Sequence, residues 1–259
     1  MLKARYRRIL WFFTRVLVSL LFWETIIPFI GLRRLTRRSR PERLRKIAAS
    51  FRQLAIEMSG VMIKVGQFMS ARLDVLPHEI TDELSGLQDE VRPEPVEVIR
   101  TVIEAEFQKP LEEVFEDFNP QPMAAASIGQ VHTAHLRMPS GECLNVVVKV
   151  QRPDIPKIVG VDLSALQTVA RLVQHYPAVR KHVNAPRLLE EFSRSLMEEI
   201  DYIHEGKNAE RFAQNFKDRP EVRVPTVHWS HTTTRVLTLE NVYSIKITDN
   251  AGLDAAGVD

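Results

Sequence analysis

The run Leu144–Val150 (LNVVVKV) leaves the backbone little choice. Branched apolar side chains lose rotamer freedom in a helix and pack well on a pleated surface, so this run reads as a strand. Before it, Ser127 to Leu136 alternates Ile128, Val131 and Thr133 with small and polar residues, and Met138-Pro139-Ser140-Gly141 supplies a hairpin connection. Pro153 and Pro156 close the second strand. Its last turn of sequence, Val146-Val147-Val148-Lys149, places an ammonium group at the mouth of a sheet. The small-residue loop Ala124-Ala125-Ala126-Ser127, with Gly129 after it, leads into the first strand.

Apolar spacing marks the helices. Leu44, Ile47, Phe51, Leu54, Ala55, Met58 and Met62 recur at three and four residues, which predicts an amphipathic helix from Glu42 to Met69. Leu76-Pro77 breaks that pattern, and a short helix is expected from Pro77 to about Leu87. Residues 89–95 are acidic and contain proline, so they read as a loop. Pro95 opens a helix over Val96–Phe107, a shorter one covers Leu111 to Phe115, and Asn119-Pro120-Gln121-Pro122 is a turn. Helices are expected over 157–176 and from Ala185 to about Phe216, a short strand over Arg235–Glu240, and a frayed tail after Asp249. The fold class is therefore α+β.

Charge divides the chain. Residues 1–46 carry 13 Lys/Arg against two acidic residues, a net of +11, and the remainder carries 22 basic and 31 acidic residues, a net of −9. A basic arm on an acidic body calls for an anionic partner. Between the arm's basic ends lies Ile9 to Leu32, rich in Trp, Phe, Leu, Ile and Val, which favours a membrane over nucleic acid. The length suits a span, but Arg15 and Glu24 interrupt it and Pro28 sits near its end, each charge costing roughly 2.5–3.5 kcal/mol at the bilayer centre. An interfacial amphipathic helix that snorkels its arginines toward anionic headgroups fits best, with Pro41 breaking a basic linker over 33–46. The alternative is a helix packed on the protein's own body. With one cysteine, Cys143, no internal disulfide can form.

Several short motifs carry chemistry. Lys64 and Gln67, in Lys64-Val65-Gly66-Gln67, are i, i+3 and share a helix face. Glu199-Ile200-Asp201 lies in the long helix, with Glu205 one turn after Asp201; on a regular helix Glu199 and Asp201 point roughly opposite ways. Lys149 reads either as a strand-end lysine reaching solvent or as a ligand for nucleotide phosphates paired with a helical glutamate, for which Glu205 is the candidate. The alanine loop reads either as a small-residue turn or as a stiffer relative of the glycine-rich loop that covers phosphates. No Gly-x-x-x-x-Gly-Lys loop or zinc-spaced Cys/His cluster is present, so no metal site is expected from these residues.

In this order, from about Met58 to Glu240, the motifs resemble those of the UbiB-type atypical kinase family, protein-kinase-like proteins linked to ubiquinone and other isoprenoid-lipid metabolism. Lys64 to Gln67 matches the family's Lys-x-Gly-Gln signature, Glu199 and Asp201 its Glu-x-Asp motif, and the resemblance gives these four a catalytic role. Ala124, Ala125, Ala126 and Ser127 match its alanine-rich loop, Lys149 its nucleotide lysine, Glu205 its αC-like glutamate, and Glu240 falls where the hinge begins. ATP is the implied cofactor, with magnesium expected only where a C-lobe is present. Lys64 is expected to pair with Glu199 or Asp201, and Lys149 with Glu205.

The implied architecture is a kinase-like N-lobe, a small antiparallel sheet plus an αC-like helix, over residues 119–245. A helical extension over 47–118, a membrane-associating segment over 1–46 and a flexible tail over 246–259 complete it. The C-lobe is expected to be absent, since 19 residues follow Glu240 with no histidine and no Asp-Phe-Gly-like sequence, and Asp249 and Asp254 are weak substitutes. The chain is accordingly expected to hold nucleotide weakly, with little phosphoryl transfer. Expected partners are anionic membrane through residues 1–40, an isoprenoid or quinone lipid, and a second copy or a separate C-lobe chain, but no nucleic acid. The location is cytoplasmic and membrane-associated. A membrane-bound, non-catalytic scaffold is the alternative.

Overall fold

The computed structural model describes residues 2–258 except 75, 89–90, 139–140, 177–179, 182 and 246. Helix α1 (Leu2–Leu21) runs through a π-helical turn (Phe22–Ile26) into α2 (Ile27–Phe29). There follow α3 (Arg33–Met58), α4 (Val61–Ser70), α5 (His78–Ser85), α6 (Val96–Phe107) and α7 (Leu111–Val114). Strands β1 (Ala124–Ala125), β2 (Gly129–Arg137) and β3 (Cys143–Gln151) come next. Helices α8 (Ile155–Gln174), α9 (Ala185–Glu199) and α10 (Tyr202–Asn215), strand β4 (Val236–Glu240) and α11 (Asn250–Ala255) complete the chain.

The four strands form one antiparallel sheet in the order β1-β2-β3-β4. The β2–β3 pairing extends from Gly129 opposite Gln151 to Arg137 opposite Cys143. Val146, Val148 and Val150 of β3 point into a core with Ile99, Val102 and Ile103 of α6 and Leu111 and Val114 of α7. The period of two on the strand meets the period of three to four on the helix, and each buries the other's apolar face. A second core joins α1, α3, α4, α5, α8 and α9 through Ile9, Phe12, Phe51, Ala55, Met62, Leu84, Leu166 and Leu196.

The structure corrects the sequence reading at four places. Residues 33–46 are helical rather than a linker, and α3 passes through Pro41. Proline removes one helical donor, and side chains bridge that stretch: Ser39 Oγ donates to Leu35 O at 2.8 Å and Arg43 Nη1 to Thr36 O at 3.2 Å. The helix expected from Glu42 to Met69 breaks at Ser59 and Gly60, both at positive φ (53° and 62°), which no helix can continue through. The helix expected from Ala185 to Phe216 ends at Glu199 and restarts at Tyr202. Asp201 caps the restart, its carboxylate accepting from Ile203 N at 3.0 Å and His204 N at 3.4 Å. The tail after Asp249 holds α11, capped by Asp249 on Gly252 N at 3.0 Å. Pro139 and Ser140 of the hairpin connection, and Asp89 and Glu90 of the acidic loop, lie outside the described residues.

The arm does not stand apart from the body. Ile9 and Phe12 are buried, Phe12 packing on Phe51 at 5.9 Å between ring centroids. Arg5 makes a bidentate pair with fully buried Asp162 of α8, 2.6 Å at each nitrogen, and donates to Met58 O at 2.6 Å and Ser59 O at 3.2 Å. So the first half of α1 is packed on the protein, while the stretch from its second half through the π-helical turn and α2 to Ile30 exposes Val18, Phe22, Ile26, Phe29 and Ile30. By length and composition Leu2–Phe29 would also suffice to cross a membrane.

Candidate nucleotide site

Lys149 lies on β3 between Val131 of β2 and Leu237 of β4. Helix α10 reaches it because its start is tied to the sheet, with Tyr202 N donating to Thr234 O at 3.2 Å. One turn on, Glu205 presents both carboxylate oxygens to Lys149 Nζ, each at 2.7 Å. The Tyr202 ring lies under the same ammonium, 4.8 Å from Nζ to its centroid, a cation–π contact. The pair is about one-third open to solvent. Tyr202 itself is buried, which pushes its phenol pKa upward, with the Glu205 and Glu199 charges adding to the shift. Its Oη has no hydrogen-bond partner among the described residues.

The alanine loop lies across β2 from the lysine, with Val131 opposite both Ala124 and Lys149. Ala124 and Ala125 pair with Val131 and Gln130, and Ala126 N donates to Gly129 O at 2.8 Å to close the turn. A glycine is required at 129. A Cβ there would meet Tyr202 Oη and come within 2.6 Å of Val150 O, which is backbone and cannot yield. Ser127 is buried inside the turn.

The Lys-x-Gly-Gln segment occupies α4. Lys64 forms an ion pair with Glu199, the last residue of α9. Asp201 takes no part in that pair, because its carboxylate caps α10. The break at Ile200 separates the two acids that a continuous helix would have set on opposite sides. Gln67 Nε2 donates to Leu87 O at 3.5 Å, and at Gly66 a Cβ would overlap Leu87 Cδ1, so α4 approaches the segment after α5 closely. Glu240 accepts from Arg223, from Thr226 N at 3.3 Å and from Thr226 Oγ1 at 3.1 Å, and the Arg223 guanidinium holds its pKa down. Its carboxylate is thus engaged within its own strand-and-loop unit, while Lys64, Lys149, Glu199 and Glu205 cluster around the junction of α9 and α10.

Two groups at the site escaped sequence reasoning. Tyr202 follows Asp201 directly, but nothing in the spacing says that its ring lies under Lys149. Arg152 follows Lys149 by three residues, is buried, and pairs with Glu94, 58 residues earlier. A charged residue just past an apolar strand was the only local signal. The residues fit a nucleotide: a lysine fixed by a carboxylate and partly open to solvent, on the same sheet as a turn of small residues that lets backbone come close. A divalent cation has less support, since no group of three or more His, Cys, Asp or Glu capable of holding one occurs among the described residues.

Comparison with known proteins gives the family. Residues 86–259 match the model of the ABC1 atypical kinase-like domain. An uncharacterized Synechocystis protein is 41% identical over 251 residues, 95% of this chain and 42% of that protein. The chloroplastic protein "activity of BC1 complex kinase 8" of Arabidopsis thaliana is 40% identical over 220 residues, 83% of this chain and 28% of its own length. The probable protein kinase UbiB of Marinobacter nauticus is 37% identical over 222 residues, covering 85% and 38% of the two chains. The chain therefore spans less than half the length of these relatives. The small antiparallel sheet, the helix that brings Glu205 to Lys149 and the matched domain lead to one conclusion: the chain belongs to the ABC1 atypical kinase-like family.

Proposed function

We propose that this chain supplies the nucleotide-holding part of an atypical kinase or ATPase that acts in isoprenoid-quinone or related lipid metabolism at a membrane surface. The observation that carries the reading is the Lys149–Glu205 pair, with both carboxylate oxygens at 2.7 Å. Lys149 would meet the α/β-phosphates of ATP, Glu205 would hold it in place, and the turn Ala124–Ser127 would cover the phosphates. The ion pair of Lys64 with Glu199 would place α4 against the same site. These residues would bind and orient the nucleotide.

The test is ADP titration by calorimetry of the chain and of Lys149→Ala. Loss of one charge-assisted contact to phosphate should weaken binding by about 10–100-fold, or roughly 1.5–3 kcal/mol. Equal affinity in the two proteins would remove Lys149 from the site. No ADP binding by the parent chain would sink the reading as a whole.

A second reading, a membrane-associated scaffold with a kinase-like lobe, draws on a different observation. The apolar ridge formed by Val18, Phe22, Ile26, Phe29 and Ile30 is exposed and continues into Arg33, Arg34, Arg37 and Arg38 of α3. Apolar side chains that enter the acyl boundary beside arginines that meet anionic headgroups are the requirements of an interfacial helix. The two readings are compatible unless membrane binding persists while nucleotide binding is absent.

A further inference from the structure

A phosphate-covering turn built from alanine has a mechanical difficulty. Glycine loops settle onto a phosphate because their backbone can adjust, and a turn made of Ala124, Ala125, Ala126 and Ser127 has far less freedom. Its position over the site must be set from outside. In this structure Arg152 reaches the turn at two points. Its backbone N–H donates to Ile128 O at 2.8 Å and its Nε donates to Ala126 O at 3.1 Å. The other guanidinium nitrogens are taken by the Glu94 carboxylate and the Arg92 carbonyl. The side chain is 7% exposed, a place where an unpaired guanidinium would be costly.

Glu94 is itself held a second time. Its N–H donates to Gln130 Oε1 at 2.8 Å and its carbonyl accepts from Gln130 Nε2 at 3.3 Å. Gln130 is fully buried on β2, one residue past the turn. The segment carrying Arg92 and Glu94 follows the stretch whose Leu87 carbonyl accepts from Gln67. A network of hydrogen bonds thus joins Arg92 and Glu94, through Arg152 and Gln130, to the alanine turn.

We propose that Arg152, clasped by Glu94, is the positioning residue of the alanine-rich turn, fixing its height over the nucleotide phosphates. Arg152 is not itself a phosphate ligand. Its donors are directed at two carbonyls and a carboxylate of the protein, and its charge is matched by Glu94. The clasp takes over the work of glycine by a different route: the turn needs no freedom to adjust because its place is set in advance. The proposal rests on the nucleotide reading above for its purpose, although the clasp itself is testable without nucleotide.

The experiment compares the chain with Glu94→Gln, Arg152→Gln, Arg152→Lys and the Glu94→Gln/Arg152→Gln double variant. Hydrogen exchange is measured first in nucleotide-free protein on peptides covering 124–130. Both Gln variants should exchange there about tenfold faster, the scale of one lost hydrogen bond to a charged group, with peptides of α8 unchanged. The double variant should add little, because both substitutions break one unit. Arg152→Lys should restore part of the protection, since lysine can meet Glu94 but cannot reach Ala126 O at the same time. Unchanged exchange in the turn of a folded Arg152→Gln protein would overturn the proposal. If that variant does not fold, Glu94→Gln decides in its place.

ADP titration then separates positioning from direct contact. A clasp predicts that Glu94→Gln weakens ADP about tenfold, like Arg152→Gln. A phosphate-binding arginine predicts the reverse for Glu94→Gln, unchanged or tighter ADP, because its charge is released; that result would overturn the proposal. Failure of the parent chain to bind ADP would count against the nucleotide reading, while the exchange result would still judge the clasp.

Discussion

His132 shows how much one buried side chain can report. It stacks on Phe118 at 4.8 Å, its Nδ1 lies 2.8 Å from Asn119 O and its Nε2 lies 2.8 Å from Gln130 Nε2. The neutral ring with its proton on Nδ1 satisfies both contacts, donating to Asn119 and accepting from Gln130. Burial lowers its pKa below 6.5, more than the bond to Asn119 O raises it. A base whose folded pKa is depressed gives stability that is full above its unfolded value and lost as pH falls through the folded one. His228 and His231 are shifted downward by burial as well. The thermal midpoint should therefore fall as pH is lowered from about 7 to about 5, with His132→Gln giving a flatter profile by differential scanning calorimetry. Equal slopes in the two proteins would show that His132 is not a source of the loss. At this scale legibility followed local pattern, since the two pairs span nearly the same distance in sequence, 56 and 58 residues. Lys149 and Glu205 stand out by their positions at a strand end and in a helix, whereas Arg152 and Glu94 are ordinary surface types whose meaning lies in a contact across 58 residues.

Helices and strands were legible where apolar period and proline agreed. The helix over Val96–Phe107 and the strand over Leu144–Val150 follow this rule. The breaks were not legible, because each depends on backbone geometry that composition does not announce. Ser59 adopts positive φ although it is not glycine, and Asp201 turns from an interior helical residue into a cap. The second break shapes the candidate site, since it lets Glu199 close one helix on Lys64 while Glu205, in the first turn of the next, meets Lys149. Asp201→Ala should cost about 1 kcal/mol by denaturant unfolding, as for a lost N-cap, and Asp201→Asn should recover most of it. A loss of ADP affinity in Asp201→Ala at unchanged stability would instead assign the carboxylate to the ligand.

Over the whole molecule, charge is divided between a basic arm and an acidic body. The acidic body carries the candidate nucleotide site, and the exposed ridge with its arginines lies on the basic arm. Phe29 is 91% exposed, an unusual state for a side chain that gains so much from burial. Co-sedimentation with vesicles rich in anionic lipid should retain the protein, and Phe29→Asp or reversal of charge at Arg33 and Arg34 should release much of it. Salt should weaken the interaction, given a Debye length of about 8 Å at physiological ionic strength. Equal retention on neutral and anionic vesicles would argue against a role for the arginines. The basic and apolar composition of the arm was plain from sequence. Its division into a packed half and an open half was not, because Arg5 and Asp162 are 157 residues apart.

The way Arg5 is seated has a practical side. Its guanidinium joins Asp162 on α8 to the carbonyls of Met58 and Ser59, at the joint where α3 gives way to α4. The arm's first dozen residues are thus a keystone of the body. Someone wishing to make the protein easier to handle would be tempted to trim everything before α3. That cut would take Ile9 and Phe12 out of the core, strand the Asp162 carboxylate in an apolar interior and release the joint that leads to Lys64. Polar substitutions at Phe29, Ile30 and Val18 would quiet the open half and leave the keystone in place.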